Sequence, residues 1–153
     1  MAIILYIANV DWFFVSHRLP IAIAAKEAGY EVHIATNFTD SKDIIERAGI
    51  ITHSLNINRS NLGVIENFKN FIEIIYIMKR IKPKIVHLIT IKPVLIGCFA
   101  ANFLNYRLNI LASVSGLGYI FIDKGLLAKF RRTFISLIYR IAFSYPNLKV
   151  IFQ

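Results

Sequence analysis

Ser113-Val-Ser-Gly-Leu-Gly-Tyr-Ile-Phe121 is the stretch from which the fold can be read. The apolar run Leu108 to Val114 leads into it and has the character of a buried strand. The run then breaks into a serine and two glycines where that strand would end. Two upstream stretches share the arrangement. Val86-His-Leu-Ile-Thr-Ile-Lys-Pro93 closes a β-branched run on a threonine, a lysine and a proline. Phe13-Phe-Val-Ser-His-Arg-Leu-Pro20 follows the apolar Ile3 to Ala8. In each case small or polar groups fall where a parallel strand would deliver them, at the carboxyl edge of an α/β sheet. That edge is where open α/β sheets bind ligands.

Around these stretches strand and helix alternate. Strands are expected at Ile3 to Ala8, Glu31 to Thr36, Ile51 to Leu55, Ile85 to Ile89, Leu108 to Val114 and from Lys149 to Phe152. Helical signals lie between them. His17 to Ala28 stops at Gly29, and Thr39-Asp40-Ser41 offers a cap for a short helix ending at Ala48-Gly49. From Val64 to Arg80, Ile65, Phe68, Ile72, Ile75 and Met78 recur at three- and four-residue steps. Pro93 to Leu104 carries its proline in the first turn. Asn56 to Asn61 is polar loop. The alternation predicts the α/β class: one Rossmann-like, doubly wound parallel sheet over residues 1–153, with helices on both faces. No internal repeat, low-complexity tract or Gly/Ser linker interrupts it. The stop at Val150-Ile-Phe-Gln153, within an apparent strand, looks like a domain cut at its boundary or a truncated gene.

The composition narrows the classes. Hydrophobic residues make up 56% of 153, above the usual ~45–50%. The single cysteine, Cys98, sits in an apolar run and has no intramolecular partner, so a reducing cytosol is expected and a buried small hydrophobe is its reading. Met1 to Ala8 lacks a basic leader and a cleavage site. No segment reaches the ~18–20 uninterrupted apolar residues of a membrane span; Lys92-Pro93 and Arg140 cut the nearest candidates. Charge is one-sided. Residues 1–78 hold six Lys/Arg and eight Asp/Glu, whereas residues 79–153 hold twelve basic side chains and one acid, Asp123. Such a half suits an anionic partner: a phospholipid surface, a diphosphate or nucleic acid.

Each candidate site has a functional reading and a structural one. The loop Asn9 to Pro20 contains no glycine, which argues against a G-x-G-x-x-G dinucleotide site. Ser16 is placed to cap a helix whose amino end attracts anions, and His17 and Arg18 add donors for a phosphate or a sugar hydroxyl. Equally, Trp12, Phe13 and Phe14 are core and Arg18 a solvated helix residue. His87 points either into a layer as a core histidine with a satisfied hydrogen bond or toward the strand edge. Lys92 is either a phosphate contact at a helix start or simply solvated. Gly116 and Gly118 permit close backbone approach, and their amides, with Ser115, suit a hydroxyl or a diphosphate oxygen; a plain glycine turn is the alternative. From Lys124 to Arg140, Leu127, Phe130, Phe134 and Leu137 lie at helical spacing, with Lys129, Arg131 and Arg132 interspersed. That pattern fits a membrane-interface helix or a helix packed on the sheet. His17, His33, His53 and His87 are dispersed without ligand spacing, so no metal is expected. The acids, Asp11 included, form no carboxylate pair. Nucleic acid is not expected as a partner, because most basic residues flank apolar helices instead of interleaving with exposed aromatics.

These stretches, in this order, resemble the amino-terminal half of a bacterial GT-B glycosyltransferase of family 4, in the branch that extends lipid-linked sugars for surface polysaccharides or glycoprotein glycans. Phe13-Phe14-x-x-His17-Arg18-x-Pro20 matches the loop that faces the acceptor in that family. His87 and Lys92 match a V-H-x-H-x-x-K strand-end motif whose second histidine is Ile89 here. Ser115-Gly-Leu-Gly-Tyr-Ile-Phe121 matches the form seen in the lipid-linked-sugar branch. Many relatives carry histidine at Ser115, so no catalytic histidine carries over. The resemblance implies an acceptor-binding half of a retaining enzyme for polyprenyl-diphosphate-linked sugars, at the inner face of the cell membrane. His17, Arg18, His87, Lys92, Ser115, Gly116 and Gly118 would line its acceptor cleft. It implies no cofactor of its own, since a nucleotide-sugar donor would bind mainly to a carboxy-terminal domain with an E-x7-E motif. Glu66 and Glu73, seven apart, do not supply that motif. The isolated chain is therefore expected not to transfer sugar. A non-catalytic membrane-side subunit with a separate donor-binding chain, and an unrelated Rossmann-like binding module, remain the other readings.

Overall fold

A computed structural model describes residues 1–57, 63–114 and 140–152. The elements run β1 (Ile3–Val10), α1 (Asp11–His17), α2 (Leu19–Glu27), β2 (Glu31–Asn37), α3 (Lys42–Arg47), β3 (Ile51–Ser54), α4 (Val64–Ile81), β4 (Ile85–Ile89), α5 (Ile91–Ala101), β5 (Asn109–Val114) and β6 (Leu148–Phe152). The six strands form one open sheet in the order β3-β2-β1-β4-β5-β6, and every neighbouring pair is parallel.

The runs of Ile, Leu and Val give the sheet two buried faces, because successive side chains alternate across a strand. Ile4, Tyr6 and Ala8 of β1, with Val32 and Ile34 of β2, pack beneath Phe14, Ala22 and Ile45 of α1, α2 and α3. The other set from β1, Leu5 and Ile7, joins Val86, Leu88 and Ile110 beneath Ile74 and Met78 of α4 and Val94 of α5. Cys98 lies in this second layer, where burial pushes its thiol up to about 12. It behaves as the small hydrophobe its surroundings suggest.

Strand order and one helical break shape the carboxyl edge of the sheet. β1 sits beside both β2 and β4, so the chain reverses its order of addition there. The chain after β1 crosses to one face and the chain after β4 to the other. This topological switch opens a crevice at the carboxyl edge. On its β1 side, Asn9 to Pro20 is not the loop its composition suggests. Asn9 and Val10 finish β1, Asp11–His17 is α1, and α2 begins at Leu19, the two helices being joined at Arg18 (φ −131°, ψ −17°). Ser16 lies inside the first of them and caps nothing; its hydroxyl meets the carbonyl of Phe13 and Nδ1 of His17. Pro20, at the amino end of α2, favours the restart. Gly29 ends α2 with φ +88°, as its position suggests.

Candidate functional site

The crevice between β1 and β4 is bounded on one side by the α1–α2 junction and on the other by the start of α5. His87, opposite Tyr6 in the β1–β4 pairing, is buried in β4. Its Nε2 shares a 2.8 Å hydrogen bond with Ser113 Oγ of β5, and its ring lies 5.2 Å from that of Tyr6. Tyr6 in turn meets Phe14 edge-on at 5.3 Å. Burial, and then the nearby Arg18 charge, depress the pKa of His87 to about 4, so the imidazole is neutral at pH 7. Arg18 is itself buried and donates from Nη1 to the carbonyl of His17 at 3.0 Å. Its charge also acts on Tyr6, where burial raises the phenol pKa and Arg18 opposes the rise.

His17, at the end of α1, is exposed and stacked on Phe13 at 4.2 Å and 16°. Its Nδ1 is turned back toward Ser16 and Phe13. Across the crevice Thr90 precedes α5 with φ 73° and ψ 165°. Only glycine adopts that region readily, and a β-branched residue there carries strain of about 1–3 kcal/mol. The strand pairing holds it, since Thr90 N donates to Ser113 O at 3.0 Å and Val94 N donates to Thr90 O. Lys92 follows in the first turn of α5. Partial burial lowers its ammonium pKa and the Glu66 charge of α4 opposes that.

The structure thus joins His87 to Ser113 and places Arg18 near enough for its charge to act on the imidazole, while the His17 ring packs on Phe13 of its own helix and Thr90 and Lys92 lie at the start of α5. Ser115, Gly116 and Gly118, and the basic residues Lys129, Arg131 and Arg132, lie outside the described residues.

Two participants escaped the sequence reading. Asp11 is fully buried. It accepts from Trp12 N, from Thr39 N and Oγ1, and from Ser41 N, at 2.7 to 2.9 Å. It therefore ties the chain after β1 to the chain after β2. Burial alone would raise its pKa, but these hydrogen bonds outweigh burial and hold it below the ordinary carboxylate value. An unpaired aspartate in an aromatic run gave no signal of this. The second is a histidine pair. His33 and His53, twenty residues apart, stack at 5.1 Å. Arg80 is a donor only, so its bond to His53 Nδ1 (3.2 Å) sets the tautomers. His53 Nε2–H then donates to His33 Nδ1 (2.8 Å), and His33 Nε2–H to Glu31 (2.7 Å). This chain pins β3 and α4 to the start of β2, away from the crevice. Among the described residues no three or more His, Cys, Asp or Glu gather in a way that could hold a metal ion.

The open parallel sheet with this strand order is the Rossmann-like unit of the GT-B architecture. The profile of the glycosyl transferase 4-like family matches residues 3–153, and the chain belongs to that family. Solved structures share its fold at low identity. A glycosyltransferase from Rickettsia africae aligns at 17% identity and a TM-score of 0.62, over 99% of this chain and 43% of that one. MurG from Acinetobacter baumannii gives 16% and 0.60, over 90% and 39%. A UDP-GlcNAc 2-epimerase from Methanocaldococcus jannaschii gives 17% and 0.58, over 99% and 45%. The chain spans about two fifths of the length of these structures. No curated protein sequence matches significantly.

Proposed function

We propose that this chain is the acceptor-binding half of a retaining glycosyltransferase that acts on polyprenyl-diphosphate-linked sugars in surface glycan synthesis. The observation that supports the proposal is the strand-order switch between β1 and β4, with a neutral imidazole and a buried guanidinium on its α1–α2 side and a strained helix start with a lysine in its first turn on its α5 side. Arg18 and Lys92 offer positive charge to a diphosphate from the two banks. Neutral His87, its partner Ser113 and exposed His17 offer hydroxyl-binding groups. The family match favours transfer over the epimerase chemistry that the same fold hosts in other proteins. The donor nucleotide-sugar would contact mainly a second domain or a separate chain, in keeping with the two-fifths span of the solved relatives. An acceptor carried on lipid would place the protein on the inner face of the cell membrane. Twelve basic residues against one acid after residue 78 support that placement, and among the described residues no helix is long and apolar enough to cross a membrane.

The test is equilibrium binding of a short-chain polyprenyl-diphosphate sugar to the wild-type chain and to Lys92→Gln. A charge-assisted hydrogen bond is worth about 1.5–3 kcal/mol, so the variant should bind at least about tenfold more weakly. Equal affinity would remove Lys92 from the site and leave the diphosphate reading unsupported.

A further inference from the structure

The amphipathic pattern of α4 is inverted at its outer pole. Ile74, Met78 and Asn70 face the core and are buried. At roughly 100° per residue, Ile65, Phe68, Ile72 and Tyr76 fall within roughly an 80° arc on the opposite side. They are 74%, 63%, 48% and 62% exposed. Phe71 packs at their margin, 6.3 Å from the ring of Phe68 and edge-on at 5.4 Å to Phe103, past the end of α5. Phe103 is itself 61% exposed. The result is an apolar strip along α4 that Phe71 links to Phe103 beyond the end of α5. A soluble surface helix normally carries polar side chains there, and contiguous exposed apolar patches mark interaction sites.

We infer that this strip is where the chain inserts into an anionic lipid surface. The inference rests on the reading of a lipid-carried acceptor and assigns the membrane contact to α4 and the end of α5. Charge selects the occupant. Lys69 and Lys79 are exposed at the margins of the strip, and Lys82 and Lys84 are exposed just beyond it. Lysine stems can lie along the apolar surface while their ammonium groups reach lipid phosphates. Arg80 lies over the ring of Tyr76 at 5.7 Å and fixes the strip's end. Glu66 and Glu73 lie together on one flank. A second copy of the chain would bring another net +9 against the same basic margin, which like-charge repulsion opposes. An anionic surface meets no such penalty.

The experiment uses the full chain and vesicles of phosphatidylcholine with phosphatidylglycerol, against vesicles of phosphatidylcholine alone. The double variant Phe68→Ser/Ile72→Ser should bind the anionic vesicles about a hundredfold more weakly, about tenfold for each partly inserted side chain. Because both side chains are exposed, its thermal unfolding should match wild type. Phe68→Trp supplies a direct readout, since its fluorescence should shift to the blue on adding anionic vesicles. Wild-type binding that survives the double variant, with no shift at position 68, would overturn the α4 assignment while leaving membrane attachment standing. If wild type binds no vesicles, the lipid-surface reading itself fails. Lipid-free dimerisation abolished by the double variant would give the strip to a second copy and overturn the inference.

Discussion

Asp11→Ala should be among the most damaging single substitutions outside the hydrophobic layers. The carboxylate is fully buried, and four donors converge on it from two loops. Truncation removes the acceptor and leaves the amides of Thr39 and Ser41 facing a void. A hydrogen bond to a charged group contributes about 1.5–3 kcal/mol. Four bonds on one carboxylate do not add independently, and water admitted to the void recovers part of the loss. The net destabilisation is then about 3–4 kcal/mol. For a chain of this size that lowers Tm by about 10 °C, at roughly 2–4 °C per kcal/mol. Urea unfolding followed by circular dichroism reads it as a lower midpoint at unchanged slope. Asp11→Asn keeps the volume and one oxygen but turns an amide group toward a backbone donor, so about half the loss should remain. A loss under about 1 kcal/mol for the alanine variant would refute the claim that Asp11 ties the two loops together.

The same geometry sets two further outcomes. His87 and His53 both have pKa values depressed to about 4, against about 6.5 in an unfolded chain. The unfolded state therefore takes up protons that the folded state refuses. Stability should be fully present above pH 6.5 and lost as pH falls from about 6.5 to about 4. Urea midpoints across that range measure the loss, and His87→Gln should flatten it; an unchanged slope would contradict a buried neutral His87. At Gly97 an added Cβ would overlap the methyl groups of Leu88, which is fully buried. Gly97→Ala should therefore cost about 1–3 kcal/mol by pushing α5 off β4, and a neutral or stabilised variant would show that the layer gives way.

The strands were legible because each is a β-branched or aliphatic run bounded by polar or glycine-containing connections. Ile85–Ile89 occurs as expected, and β1, β2, β3 and β5 differ by one or two residues at an end. The α4 period was equally plain, since its apolar residues repeat every three or four positions. What could not be read was which side of α4 faces water, because Ile65, Phe68 and Ile72 belong to the same periodic set as the buried residues. The first crevice-forming segment was missed for another reason. Trp12-Phe13-Phe14-Val15 has low helix propensity and no side-chain cap. Its helix is held by tertiary burial of Phe14 and by Asp11, whose partners lie about thirty residues away. His33 and His53 likewise meet only through the β2–β3 register, which pairs His33 with Ile51 and Ala35 with His53. The approach of Arg18 to His87 depends on the kink between α1 and α2.

Backbone chemical-shift mapping with a short-chain polyprenyl-diphosphate sugar tests most directly whether the carboxyl-edge crevice holds the acceptor. Binding there predicts that the largest saturable shifts fall at Arg18, His87, Thr90 and Lys92, and that Lys92→Gln weakens them. Shifts concentrated at the opposite ends of the strands, near Glu31, Lys84 and Asn109, or no saturable shift at all, would contradict it.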